Sequence, residues 1–259
     1  MNIANPASMT ITKQSISLSR RIMAWLVHLF TASAAILGLY TLYAVYEGYY
    51  LLAFWLMGAT IFIDSVDGTL ARRVGVKTAA PRIDGALLDN IVDYLNYVIT
   101  PAFLLLVSDL LPHHWKIIGA SAIVLGSTYQ FTQADAKTAD HFFKGFPSYW
   151  NLVVFYLFIS SLSCWTNLSI ILCLSLMIFV PIKYLYLTRL DNVSRNKKKR
   201  FVIRCATMFY IIATISLLAI YPHSNFWLVS ISWGYCLFYL TMSLYRTFMP
   251  LDKSIIIPM

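Results

Sequence analysis

Long apolar segments constrain the fold of this chain more than any other feature. A helix needs about 20 mostly apolar residues to cross a bilayer. Eight such segments lie near 24–46, 50–71, 86–108, 115–134, 148–164, 167–188, 202–220 and 226–248. Only 12% of the residues are charged, which is too few to cover a soluble surface. The sequence therefore predicts an all-α integral membrane protein, a single polytopic domain over 1–259 with about eight transmembrane helices.

Basic residues are distributed unevenly between the two ends of these segments. When the loops are assigned alternately to the two sides, 18 of the 20 Lys and Arg residues share the side of both termini. Lys116 belongs to the opposite side, and Lys183 lies inside an apolar segment. Because basic loops stay on the cytoplasmic side, both termini are predicted to be cytoplasmic.

Carboxylates occur inside two of the apolar segments, where each costs about 2.5–3.5 kcal/mol by insertion scales and therefore indicates function. On the second segment Asp64, Asp67, Gly68 and Ala71 share one helical face. The third segment carries a polar stripe at i, i+4, i+7 and i+11, formed by Asp89, Asp93, Asn96 and Thr100. Asp84 is placed to cap this third helix at its N-terminus.

Two helical faces with two carboxylates each suit a pair of hard divalent cations. Carboxylates without His or Cys nearby favour Mg²⁺ or Mn²⁺ over zinc. Two such ions form the clamp that is used in phosphoryl transfer, and Arg72 could pair with a phosphate. Two other interpretations stay open at this point: a carboxylate–arginine network that joins two helices, and a cation pathway in a transporter.

The spacing of these residues resembles the signature of the CDP-alcohol phosphotransferase family. All eight of its specified positions are present: Asp64, Asp67, Gly68, Ala71, Arg72, Gly85, Asp89 and Asp93. The gap of twelve residues between Arg72 and Gly85 resembles the phosphatidylcholine synthase branch of bacteria. The stretches HLFTAS (28–33), LLDNIVDYLNYVITPAF (87–103) and KTADHFFKGFPSYWNLVVF (137–155) are also similar to that branch.

The resemblance implies an enzyme that transfers the phosphatidyl group of CDP-diacylglycerol to choline and releases CMP. Its cofactor would be Mn²⁺ or Mg²⁺, bound as two ions. Asp64, Asp67, Asp89 and Asp93 would bind metal, and Asp93 would also be the catalytic base. Asp64 and Asp67, with Gly68, Ala71, Arg72 and Gly85, would bind the nucleotide and diphosphate. A homodimer in the bacterial inner membrane is implied, with a polar cavity open to the cytoplasm and no nucleic-acid partner.

The acceptor is predicted from the chemistry of choline. Its quaternary ammonium binds best to aromatic faces, and the candidates are Tyr94, Tyr97, Tyr129 and Trp150. A phosphorylated acceptor would require several Arg or Lys side chains facing the cavity, whereas the third to fifth segments contribute none beyond Lys116 at a segment end. The alternatives are a related transferase for serine, inositol or glycerol phosphate and, in a different class, a cation-coupled transporter.

Overall fold

A computed structural model describes residues 16–136, 138, 142–185, 197–223 and 225–249. Most of the chain in these ranges is helical. Several basic residues of the orientation argument lie outside the described residues: Lys13, Lys137, Arg189, Arg195 and Lys253. The predicted segment 167–188 also runs beyond them at its end.

Ten α-helices lie in the described ranges. They are α1 (Leu18–Tyr46), α2 (Tyr50–Val74), α3 (Val76–Ala79), α4 (Gly85–Tyr94), α5 (Thr100–Val107), α6 (Lys116–Thr132), α7 (Trp150–Ile159), α8 (Cys164–Met177), α9 (Lys197–Ile220) and α10 (Phe226–Phe248). A π-helical turn over Leu95–Ile99 joins α4 to α5, and a 3₁₀ turn at His113–Trp115 precedes α6.

Within the described ranges, five helices are long and apolar enough to cross a membrane: Leu18–Tyr46, Tyr50–Val74, the continuous helix Gly85–Val107, Arg200–Ile220 and Phe226–Phe248. They coincide with five of the eight predicted segments. Helices also occupy the other three segments, but α6, α7 and α8 have only 17, 10 and 14 residues. Since a span needs about 20 residues, the eight-span topology stays a prediction.

One difference from the predicted helices lies after α8. The sixth apolar segment was expected to be helical over 167–188, but α8 ends at Met177 and Lys183–Leu185 form a strand, β2. Pro181 explains the break, because a proline disfavours helical backbone in the residue before it. The strand β1 (Phe142–Lys144) pairs with β2 in antiparallel fashion, with Phe143 opposite Tyr184.

Helix α10 holds this two-stranded ribbon in place. The backbone N–H of Lys183 donates to Thr247 Oγ1 at 2.8 Å, and the Tyr239 hydroxyl donates to the carbonyl of Leu185 at 3.1 Å. Side chains of α10 thus bind the strand edge that β1 leaves open. In a membrane, an unpaired strand edge costs several kcal/mol for each polar group, so these contacts permit a strand here.

The packing of α1 against α2 and against the helix 85–107 positions the predicted site. Small residues on α1, among them Ala24, Ala34 and Gly38, are buried at this contact or lie against it. Small side chains let helix backbones approach closely in membrane proteins. Arg20 Nε donates to the carbonyl of Val74 at 2.8 Å, which ties the start of α1 to the end of α2.

Candidate active site

The predicted carboxylates meet at one small cavity between α1, α2 and the helix 85–107. All four predicted metal ligands line it. The lining residues are Thr31, Ala34, Thr60, Ile63, Asp64, Asp67, Asp89, Val92, Asp93, Asn96 and Tyr97. The structure thus brings the two carboxylate pairs of the sequence motif together from two helices.

Three of the four carboxylates form a close group. Oxygen atoms of Asp64, Asp89 and Asp93 all lie within 4.8 Å of one another, and each of these residues is partly buried. Three negative charges at this separation repel each other unless cations or protons compensate them. Since all the donors are oxygens, the group fits a hard cation such as Mg²⁺ or Mn²⁺.

Asp67 lines the same cavity but has a different neighbour. Its side chain is only 6% exposed, and its Oδ2 accepts a hydrogen bond from Thr31 Oγ1 at 2.9 Å. Asp67 is not a member of the close group of three. Its assignment as a metal ligand stays a prediction, and the contact shows that α1 contributes to the site.

A π-helical turn shapes the third helix directly after Asp93. Pro101 has no N–H to donate to the carbonyl of Tyr97 one turn earlier, which favours an irregular turn at this point. The turn lies over Leu95–Ile99 and places the Tyr97 hydroxyl 2.8 Å from Asp64 Oδ2, to which it donates a hydrogen bond. Such turns are frequent at functional sites.

The π turn also corrects the predicted polar stripe on this helix. Asp89, Asp93 and Asn96 line the cavity as expected from their spacing. Thr100, the fourth member, is fully buried and donates to the carbonyl of Asn96 at 2.7 Å; it does not line the cavity. The wider π turn changes the register after Asn96, so that Tyr97 faces the carboxylates.

The motif residues without carboxylates lie in the last turns of α2 and at the start of α4, and their predicted role in binding the nucleotide and diphosphate stays a prediction. The Arg72 guanidinium lies over Gly68, where a Cβ atom would be 3.3 Å from its Nη1, and its Nη2 donates to Thr69 Oγ1 at 3.1 Å. A Cβ at Gly85 would lie 3.2 Å from Cε1 of His28. Ala71 lies on α2, like Gly68 and Arg72, and is partly buried.

Asp84 has the structural role that the sequence predicts. Its Oδ1 accepts hydrogen bonds from the backbone N–H groups of Ala86 at 3.0 Å and Leu87 at 3.2 Å. It therefore caps the N-terminus of α4, the helix that carries Asp89 and Asp93, and the prediction is confirmed.

The four predicted choline-binding residues lie in different places. Only Tyr97 lines the carboxylate cavity. The Tyr94 hydroxyl is 2.8 Å from Thr128 Oγ1, and Trp150 is fully buried with its Nε1 donating to Ser127 Oγ at 2.8 Å. Tyr129 is 46% exposed, and its ring centroid is 5.0 Å from that of Phe179. A choline site that includes all four therefore stays a prediction.

Two threonines of the cavity lie outside the sequence motif. Thr31 and Thr60 are both buried in it, and Thr60 Oγ1 donates to the carbonyl of its own helix at Met57. Hydroxyl groups in an apolar helix are a weak signal because most of them bond to their own backbone. Thr31 differs because it also donates to Asp67, and only the tertiary structure reveals that partner.

Comparisons with known proteins identify several relatives of this chain. It is 49% identical over 243 residues to a phosphatidylcholine synthase of Legionella pneumophila, with 93% of this chain and 95% of that protein covered. Proteins of the same name from Borreliella burgdorferi and Mesorhizobium japonicum are 40% and 34% identical over 71% and 76% of this chain.

The family model for CDP-alcohol phosphatidyltransferases matches residues 24–181. This match contains α1 from residue 24 onward, α2, the helix 85–107 and every residue of the carboxylate cavity. It agrees with the resemblance found in the sequence motif. The chain therefore belongs to the CDP-alcohol phosphatidyltransferase family.

Proposed function

We propose that this membrane protein transfers the phosphatidyl group of CDP-diacylglycerol to choline, forming phosphatidylcholine and CMP. The observation that carries the proposal is 49% identity, over 93% of the chain, to a protein named phosphatidylcholine synthase. The close group of Asp64, Asp89 and Asp93 supports it, because phosphoryl transfer commonly requires divalent cations held by carboxylates.

Asp64, Asp89 and Asp93 would hold the metal, with Asp67 as the fourth ligand for a pair of ions. Mn²⁺ and Mg²⁺ both suit an all-oxygen site. Bound there, the metal would stabilise the negative charge that develops on the diphosphate oxygens during transfer. Tyr97 would fix the orientation of the Asp64 carboxylate through their 2.8 Å hydrogen bond.

Asp93 would act as the general base. Choline's hydroxyl is a weak nucleophile, so its proton is transferred to the Asp93 carboxylate as the oxygen attacks. The choline oxygen forms a bond to the phosphorus that carries diacylglycerol, and the bond from that phosphorus to the oxygen of CMP breaks. The proton then leaves Asp93 to solvent, which restores the carboxylate.

The donor's diphosphate and nucleotide would lie next to the carboxylates, along Gly68, Ala71, Arg72 and Gly85. Glycine at 68 and 85 adds no Cβ to the helix surface, and the side chains nearest to these two positions are those of Arg72 and His28. Arg72 can pair with phosphate oxygens, since guanidinium and phosphate form two parallel hydrogen bonds. Its present partner, Thr69, is a neutral hydroxyl that a phosphate would replace at little cost.

The character of the cavity supports a cationic acceptor. Four carboxylates and no Lys, Arg or His side chain are among its lining residues in the described part of the chain. An anionic acceptor such as glycerol phosphate would find no basic side chain among these lining residues. Tyr97 offers an aromatic face to a quaternary ammonium, and the ring of Tyr149 lies 6.4 Å from that of Tyr97, centroid to centroid. Tyr94, Tyr129 and Trp150 are weaker candidates because none of them lines this cavity.

The proposed orientation follows the distribution of basic residues, with both termini and the mouth of the cavity in the cytoplasm. The water-soluble substrate choline would then enter from the cytoplasm, and CDP-diacylglycerol from the cytoplasmic leaflet. A homodimer in the bacterial inner membrane completes the proposal, on the family resemblance alone.

The test is CMP release by the purified protein in detergent with CDP-diacylglycerol and Mn²⁺. Choline, serine, inositol and glycerol phosphate are supplied in separate reactions. We expect release with choline only, loss of release with a chelator, and recovery when Mn²⁺ or Mg²⁺ is restored. Release with another alcohol would retain the enzyme class and contradict the acceptor.

A cation-coupled transporter is the alternative from a different class. It would explain carboxylates in a membrane, but it gives no role to Gly68, Ala71, Arg72 and Gly85 at their fixed spacing. Membership of a transferase family favours the enzyme. Folded protein that releases no CMP with any of the four alcohols would contradict the enzyme and favour transport.

A further inference from the structure

His28 is a buried polar residue on α1 that the reaction described above does not use. It is 5% exposed, and its Nε2 is fully buried and has no hydrogen-bond partner within the described part of the chain. A buried ring nitrogen without a partner is unfavourable, so such groups call for an explanation. The ring of Trp25 lies edge-on to the imidazole, with centroids 6.4 Å apart. Its indole has no lone pair in the ring plane that could accept a hydrogen bond from Nε2–H.

Two hydrogen bonds fix the position of His28 relative to α2. Arg20 Nε lies 2.8 Å from the carbonyl of Val74, and Thr31 Oγ1 lies 2.9 Å from Asp67 Oδ2. Because His28 lies between Arg20 and Thr31, it is level with the part of α2 between Asp67 and Val74. That part carries the residues proposed to bind the diphosphate.

A third contact places His28 beside the start of α4. A Cβ atom at Gly85 would lie 3.2 Å from His28 Cε1 and 3.8 Å from Nδ1, so the imidazole occupies the space that this glycine leaves. Gly85 precedes the cavity residue Asp89 by one turn. His28 therefore lies against the second half of the sequence motif at Gly85 and level with its first half on α2, on the side of the cavity nearer the N-terminus of α1.

We propose that His28 binds the cytidine diphosphate part of the donor, with its Nε2–H donating a hydrogen bond to an oxygen of that group. The inference rests on the proposed function, since it takes CDP-diacylglycerol as the donor. A nucleotide diphosphate offers many acceptor oxygens, and it has to lie along Gly68 and Gly85 to present its phosphorus to Asp93. The acceptor alcohol reacts deeper in the cavity, at the carboxylates, and does not meet His28.

The experiment compares two substitutions of similar size in the full-length protein. His28→Leu keeps the volume and removes the donor, whereas His28→Gln places an amide N–H near the position of Nε2. CMP, the nucleotide product, is the probe, and its Kd is measured by calorimetry in detergent with Mn²⁺. His114→Leu, at an exposed histidine far along the chain, is the matched control.

We expect His28→Leu to raise both the Kd for CMP and the KM for CDP-diacylglycerol about tenfold, as for a lost hydrogen bond to a charged group. The KM for choline should not change. His28→Gln should recover most of the loss, and His114→Leu should behave as wild type. An unchanged Kd in His28→Leu, or an equal rise in the KM for choline, would overturn the proposal. Wild-type protein that neither binds CMP nor releases it would instead contradict the proposed function.

A spectroscopic measurement keeps the proposal testable if the leucine variant does not fold. In wild-type protein labelled with ¹³C at histidine Cε1, the His28 resonance is the one that disappears in His28→Gln. We expect CMP to shift this resonance and to leave the resonance of His114 unchanged. A His28 resonance that does not respond to saturating CMP would overturn the proposal.

Discussion

The helices of residues 18–107 and the helix pair α9–α10 both carry polar side chains among apolar ones, but they carry different groups. In the first region, carboxylates of Asp64, Asp89 and Asp93 lie within 4.8 Å of one another. In the second, hydroxyls lie next to hydroxyls: Thr207 Oγ1 is 2.8 Å from the Tyr235 hydroxyl, and Ser232 of α10 is hydrogen-bonded to Tyr156 of α7. Paired hydroxyls satisfy each other, whereas grouped carboxylates require a cation.

The two regions also differ in how closely their helices pack. In the most apolar 18-residue stretch of the helix Gly85–Val107, half of the residues are buried. In the corresponding stretch of Phe226–Phe248, 17% are buried. Trp227 and Phe248 are 73% and 80% exposed on α10. A membrane helix gains little from burying apolar side chains, because lipid is equally apolar. The closest packing thus occurs in the helix that carries Asp89 and Asp93.

The largest expected effect is the loss of the proposed base. Asp93→Asn keeps the shape of the side chain but cannot take a proton, so kcat should fall by about 10²–10⁴. CMP binding should be retained, which separates catalysis from donor binding. Both are measured on purified protein, by CMP release and by calorimetry. Asp84→Asn is the control, because asparagine caps a helix as well as aspartate does. Full activity in Asp93→Asn would remove the base assignment.

A matched pair of glycines tests the difference in packing. A Cβ at Gly38 would lie 2.6 Å from Asn96 Oδ1 and 2.9 Å from Leu95 Cδ2. Asn96 cannot easily move, since its Nδ2 donates to the carbonyls of Ala34 and Val92. Gly38→Ala should therefore reduce the free energy of unfolding by about 1–3 kcal/mol, as overpacking does.

Gly234 on α10 is the partner of this comparison. A Cβ there would have no atom of the described residues within 4 Å, so Gly234→Ala should be neutral or stabilising by up to about 1 kcal/mol through helix propensity. Thermal unfolding in detergent measures both variants, and CMP release should fall only in Gly38→Ala. Equal effects at the two sites would contradict the difference in packing.

Much of the site could be predicted from periodicity along single helices. The face of Asp64 and Asp67 and the face of Asp89 and Asp93 each follow from residues three or four apart, and both faces line the cavity. The cap at Asp84 follows from local chemistry. Five of the predicted segments are helices long enough to cross a membrane, because about 20 apolar residues are a strong signal.

The rest depends on contacts between distant parts of the chain. The hydrogen bond from Thr31 to Asp67 and the one from Tyr97 to Asp64 each join two helices, so neither can be inferred from spacing within one helix. The π turn changed the register at Thr100, and Pro181 interrupted an apolar segment that otherwise predicts a longer helix. The aromatic ring of Trp150 makes it a candidate for binding choline, yet its indole N–H donates a hydrogen bond to Ser127 Oγ in the core.

A smaller effect is expected from the hydrogen bond that orients Asp64. Tyr97→Phe removes the hydroxyl that donates to Asp64 Oδ2 and keeps the aromatic ring. Loss of a group that orients a metal ligand typically lowers metal affinity 10–100-fold, and we expect about tenfold at this partly buried site. The measurement is the Mn²⁺ concentration that gives half-maximal CMP release. Asp64→Asn should raise this concentration further and also weaken CMP binding. An unchanged Mn²⁺ requirement in Tyr97→Phe would contradict the positioning role.

The smallest effect is expected from the same substitution in the other region. Tyr235→Phe removes a hydroxyl that lies 2.8 Å from Thr207 Oγ1 and joins α10 to α9. Thr207 also donates to the carbonyl of Ile203 at 2.9 Å, so it keeps a partner when the tyrosine hydroxyl is lost. Hydrogen bonds between membrane helices contribute about 0.6 kcal/mol on average. The free energy of unfolding, measured by thermal unfolding in detergent, should fall by that small amount. The Mn²⁺ requirement of CMP release should stay at the wild-type value. A change in it would mean that the hydroxyls of α9 and α10 act on the carboxylates, and the two regions would then form one functional unit.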